Sequence, residues 1–111
     1  MANVVVKKKE QTKIWLDEQE ICREYYVTDR ITFGMSELAP GAVGGLDKGH
    51  AEADEIFYCV KGEVLCFVPE ENCYHYLSEG DAMLVPQGEG HKLYNIGDED
   101  AVVTWSCAPH P

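Results

Sequence analysis

The chain is short of positive charge: nine Lys and Arg stand against twenty Asp and Glu, for a net charge of −11. That balance excludes nucleic acid and anionic membrane surfaces as partners, because both need a basic footprint. No apolar run approaches the roughly 20 residues of a membrane span. Val4-Val5-Val6 is too short for the apolar segment of a secretory signal, and Lys7-Lys8-Lys9 follows it instead of preceding it. There is no Cys-x-x-Cys pair, although there are five cysteines, an odd number. Cys59, Cys66 and Cys107 lie in apolar runs, where a thiol acts as a small hydrophobe. Reduced thiols in a soluble cytoplasmic protein account for this usage. Long helical periodicity, internal repeats, low-complexity tracts and linkers are also missing. With 111 residues, the expectation is one domain with a core of its own.

What is present is a series of short strands with turns at nearly even spacing. Residues 1–13 read as a frayed end or an edge strand. Asp17–Glu24 suits a short helix by its Glu and Gln content. Tyr25-Tyr26-Val27-Thr28 favours strand, so strands joined by a turn are preferred over this region. Ile31, Phe33 and Met35 alternate on one face of a half-buried strand. A glycine-rich loop covers residues 41–49. Strands are expected at 55–60 and 63–68, with Lys61-Gly62 as a hairpin turn between them, and then at 73–77, 82–85, 91–96 and 101–108. The fold class is therefore all-β, a small β-barrel or jelly roll. Residues 1–30 form N-terminal strands or an arm of the same domain, and residues 31–111 form the barrel. A barrel of this size admits only a small ligand.

One stretch carries more than strand pattern. Gly80-x5-Pro86-x-Gly88-x2-His91-x3-Asn95 delivers one imidazole from a rigid turn onto a strand. Upstream, Glu55-x6-Gly62 is preceded four residues earlier by His50. These spacings resemble the two motifs of the cupin superfamily: the second is complete, and the first holds Lys48 where its first histidine normally stands. The resemblance covers roughly residues 32–109. It implies a double-stranded β-helix with a divalent metal held by His50, Glu55 and His91.

Imidazole and carboxylate ligands suit Fe, Mn, Ni or Zn without distinguishing them. Lys48 either swings to solvent, sits in the pocket as a substrate anchor or general base, or replaces the metal's charge. A second register takes His50 as first ligand and Glu52 as second, but it puts Ile56 or Phe57 at the glutamate position. Lys48 and Glu52 are accordingly the candidate catalytic groups beyond the ligands. Tyr58 and Tyr94 are candidates for contact with substrate, against the plainer reading of all the tyrosines as wall and packing residues. Phe57, Phe67 and Met83 are core candidates. His75 reads as a surface strand residue and His110 as solvated.

The function expected from the resemblance is a metal-dependent enzyme of oxygenase, isomerase or lyase type. It would act on a small polar metabolite such as a keto acid or a sugar. The alternative is a non-catalytic metabolite- or sugar-binding cupin that has lost a metal ligand at Lys48. A homodimer is implied by the same resemblance.

Overall fold

A computed structural model describes residues 3–109. The expected fate of His110 lies outside these residues. After a single 3-10 turn at Lys9–Gln11, nine strands follow in order: β1 (Lys13–Asp17), β2 (Glu20–Val27), β3 (Thr32–Leu38), β4 (Asp54–Lys61), β5 (Glu63–Val68), β6 (Cys73–Ser78), β7 (Ala82–Val85), β8 (Lys92–Asn95) and β9 (Ala101–Ala108). They build two antiparallel sheets, one of six strands in the order β1-β2-β3-β9-β4-β7 and one of three in the order β6-β5-β8. The strand reading of residues 17–24 holds: β1 and β2 are joined across Glu18-Gln19 and extend the six-stranded sheet.

The apolar core lies between the sheets. Leu38, Phe57, Cys59 and Val103 from one sheet meet Val64, Cys66, Leu77 and Leu93 from the other. Cys59 and Cys66 are fully buried and serve here as compact hydrophobes. Met83 packs against this cluster. Phe67 instead faces outward on β5 and stacks on Tyr74, 4.6 Å between ring centres.

The sheets are not joined into a closed barrel. Residues 42–47 run between them, bridging Gly44 to Glu18 on one side and Val43 to Tyr94 on the other. Two local expectations are corrected. Lys61-Gly62 is not a hairpin turn, since β4 pairs with β7 and β9 while β5 pairs with β6 and β8. It is a corner where the chain changes sheet, made by a register shift after Cys59 and by Gly62 at φ +80°. On β3 the buried face is Thr32, Gly34, Ser36 and Leu38, so Phe33 and Met35 point the other way. The inward face of this sheet borders a polar cavity and not only a core, which reverses the usual meaning of the alternation.

Candidate metal centre

His91 is presented as its sequence suggests. Its backbone pairs with Asp47 in both directions, His91 N–H to Asp47 O and Asp47 N–H to His91 O, each at 2.9 Å. This isolated antiparallel bridge sets the two side chains against one another. The Gly88 N–H donates to His50 O at 2.8 Å, which fastens residues 47–50 to the turn before His91. Gly49, at φ +90°, lies between the two segments, and a Cβ there would be 2.6 Å from Glu89 O. Glu55 enters from β4, buried beside Phe57 on the inward face.

Four side chains converge. His91 Nε2 lies 3.1 Å from Glu55 Oε1 and 3.5 Å from Asp47 Oδ2. His50 Nε2 lies 3.6 Å from Glu55 Oε1 and 3.8 Å from Asp47 Oδ2. His91 Nδ1 faces Glu89 O at 3.2 Å and donates to it, so Nε2 is the nitrogen presented to the carboxylates. The Gly49 N–H steadies Asp47 through Oδ1 at 2.8 Å. Cys107 Sγ lies within 4.8 Å of ligand atoms of His50 and Glu55.

Asp47, Glu55 and His91 offer donor atoms all within 4.8 Å of one another, and His50, Glu55 and Cys107 offer a second such set that shares Glu55. Donors held about 2.1 Å from a common metal stand roughly 3–3.5 Å apart, and the His91–Glu55 and His91–Asp47 separations of 3.1 and 3.5 Å match that. Glu55 Oε1 is buried and no hydrogen bond satisfies it, because its approach to the imidazoles is close but not aligned as one. An oxygen buried and unsatisfied among imidazole nitrogens is a metal ligand's environment.

Electrostatics in the metal-free site follow from the same distances. The His91 imidazole holds the Asp47 carboxyl down to about 2, against the opposing effect of burial. Burial works against charge on His91, but Asp47 and Glu55 outweigh it and raise its pKa to about 10. His91 therefore stabilises the fold fully below its ordinary 6.5, and this contribution is lost as pH rises through about 10. Asp47 contributes fully above its ordinary 3.8, and its share is lost as pH falls through about 2. Metal-stripped protein should accordingly show a falling melting temperature from pH 6.5 to 10; a profile flat over that window would refute the ion pair.

Of the residues singled out in sequence, Glu55 stands 3.1 Å from His91 and 3.6 Å from His50, and Lys48 is exposed and does not line the cavity, the solvent-facing outcome among the three open to it. Asp47, one residue earlier, turns its carboxylate toward the two imidazoles. Gly49 breaks the alternation between residues 48 and 50, so counting back two positions from His50 lands on the wrong side chain. The Asp47-Lys48-Gly49 sequence, with a glycine where a strand would need a side chain, is the signal that could have shown it.

Glu52 is exposed in the same loop. Tyr58 lies on the outer face of β4, 45% exposed, because Glu55 and Phe57 take the inward parity. Tyr94 lies on the outer face of β8, with Tyr74 beside it and the Lys92 ammonium 5.6 Å from its ring centre. None of these three lines the cavity. His75, half-buried on β6, pairs with Glu71 at 2.9 Å.

The cavity beside Asp47, His50, Glu55 and His91 has a volume of about 240 Å³. Its lining includes residues that sequence reading did not single out: Trp15, Asp17, Glu20, Glu24, Thr32 and Trp105.

Comparison with known proteins agrees with this architecture. A family model described as "Cupin domain" matches residues 34–107. A germin-like protein 3-8 from Oryza sativa subsp. japonica is 37% identical over 76 residues; the match takes in 66% of this chain and spans only about a third (33%) of that protein's length. An uncharacterised double-stranded β-helix protein from Klebsiella pneumoniae superposes with a TM-score of 0.81 at 16% identity, covering 97% of this chain and 92% of the other. The Cnp3 cupin domain of Schizosaccharomyces pombe gives 0.79 at 17% identity, covering 96% and 75% respectively. Those two likenesses are likenesses of fold. Motif spacing, strand order and the matched family model lead to one statement: the chain belongs to the cupin domain family.

Proposed function

We propose that this cupin holds one divalent cation between Asp47, His50, Glu55 and His91 and acts on a small polar metabolite in the adjoining cavity, as an enzyme of oxygenase, isomerase or lyase type. The observation that supports this most is Glu55 Oε1, buried and unsatisfied between two imidazoles. When bound, the metal supplies Lewis acidity toward an oxygen of the ligand. The chain's own residues do the rest. Glu89 O and the Gly49 N–H orient His91 and Asp47. Phe57, edge-on to His91 with ring centres 5.1 Å apart, and the indole of Trp105 keep the inner wall apolar. The donor set does not choose among Fe, Mn, Ni and Zn.

The reading as a non-catalytic cupin that has lost a ligand at Lys48 has less support, since Asp47 fills that corner. Five free cysteines suit a reducing, cytoplasmic setting. The proposal includes a homodimer, with a second copy covering the apolar outer row of Ile56, Tyr58, Val60 and Leu84 on the neighbouring strands β4 and β7.

Metal analysis tests the centre. Protein purified and loaded with each candidate ion should retain about one equivalent per chain, and His91→Ala should lose it. Absence of bound metal under every loading condition would overturn the proposal.

A further inference from the structure

Two of the buried cysteines, Cys59 and Cys66, belong to the apolar core, but Cys107 does not. It is only 2% exposed, yet it borders the cavity. The sheet fixes where its side chain stands. Cys107 on β9 pairs with Glu55 on β4 and with Thr32 on β3, so the three residues form one row. Side chains paired in this way share a face of the sheet, and here all three line the cavity. Cys107 Sγ lies within 4.8 Å of ligand atoms of His50 and Glu55, and His50 Nε2 is 3.6 Å from Glu55 Oε1. Sulfur, imidazole nitrogen and carboxylate oxygen therefore meet at one place.

The two neighbours of Cys107 in the row each carry an unsatisfied atom, an observation independent of the sulfur. Glu55 Oε1 is buried without a hydrogen-bond partner, and so is Thr32 Oγ1, at 6% residue exposure. Such atoms are costly unless something in the cavity answers them. A cation between Glu55 and the sulfur answers the first. A sulfur carrying the negative charge of a thiolate offers the Thr32 hydroxyl an acceptor on the neighbouring strand.

We propose that Cys107 is a further ligand of the metal centre, joining His50 and Glu55 for ions that accept sulfur. Imidazole and carboxylate do not choose among Fe, Mn, Ni and Zn, but a thiolate favours Zn²⁺ and Co²⁺ over Mn²⁺. In the metal-free protein, burial and the Glu55 carboxylate push the Cys107 thiol up to about 12, so it keeps its proton. A bound cation reverses the local charge: a metal–sulfur bond replaces the S–H bond, and the proton leaves to solvent. This inference deepens the proposed function and rests on it for the presence of a metal.

The test uses Co²⁺, because a cobalt–thiolate bond has a charge-transfer absorption in the near ultraviolet that oxygen and nitrogen ligands do not give. Glu71, Cys73 and His75 form a separate, exposed set that also offers a sulfur, so every protein carries Cys73→Ser. The Co²⁺-loaded protein should show the band, and Cys22→Ala should leave it in place. Cys107→Ser should abolish the band while Co²⁺ stays bound, with Cys107→Ala as a second variant for the same reading. Cys107→Ser should also lower Zn²⁺ affinity at least about tenfold and leave Mn²⁺ affinity within about threefold. Bound Co²⁺ without a sulfur band, a band that survives both Cys107 substitutions, or equal losses for Zn²⁺ and Mn²⁺ overturns the assignment of Cys107 and leaves the metal proposal standing. Protein that takes up no metal overturns the metal proposal, and this inference with it.

Discussion

Asp47→Ala should lower the affinity for a divalent metal at least about a hundredfold, whereas Lys48→Ala should leave it within about threefold. A hundredfold loss corresponds to about 2.8 kcal/mol. The size follows from where Asp47 sits: its carboxylate is 3.5 Å from His91 Nε2 and 3.8 Å from His50 Nε2, and the Gly49 N–H holds it in place. Lys48 is exposed and contributes nothing to that cluster. Histidine substitutions sharpen the contrast. Asp47→His keeps a ligand at the corner and should retain metal, while Lys48→His adds an imidazole facing solvent and should change little. Isothermal titration with Zn²⁺ or Mn²⁺ reads all four variants. If Lys48→His raised affinity steeply while Asp47→Ala left it intact, the first corner would belong to residue 48 and the assignment would fail.

Gly34→Val should be the most damaging exchange in the sheet that floors the cavity. Valine is ordinarily welcome in a strand, so crowding alone sets the sign. A Cβ at residue 34 would overlap the Trp105 indole at Cη2 and Cζ2 and would stand 2.5 Å from the backbone oxygen of Arg23. An indole can swing away, but a carbonyl inside a sheet cannot move without breaking its ladder. Overpacking of this kind costs about 3 kcal/mol. For a domain of this size that lowers the melting temperature by roughly 10–15 °C. Adding Trp105→Ala should recover only part of the loss, since the Arg23 carbonyl remains. A melting temperature within about 2 °C of the unaltered protein would show that the sheet yields at this point.

The strands were legible because each is bounded by Gly, Pro, Asn or Asp, and the Gly80–Asn95 spacing singles out His91 directly. Glu55 was legible for the same reason, through its distance to Gly62. Asp47 was not. The family spacing counts along an extended chain, and Gly49, at φ +90°, breaks the extension. Phe33 and Met35 misled in a related way, since apolar residues in alternation mark a core only when the opposite face meets water. Here the opposite face, Thr32 to Ser36, borders a polar cavity. Asp17, Glu20 and Glu24 fall where the sequence reads as strands joined by a turn, and nothing in that reading sets them beside a cavity. Only the pairing of β2 with β3, and the turn of β1 beside it, carries them to the cavity.

Strand β9 lies between β3 and β4, pairing Thr32 with Cys107 on one flank and Glu55 with the same Cys107 on the other. This order has a consequence in time. The three-stranded sheet is complete within residues 63–95, β5 pairing with its neighbour β6 and with β8. The larger sheet has no centre until residues 101–108 have been synthesised, so β1–β3 and β4 with β7 must wait as separate pieces. Closing loops of this length makes formation slow. During the wait, the facing edges of β3 and β4 are unpaired, and they are the surfaces on which a nascent chain would need protection from its neighbours.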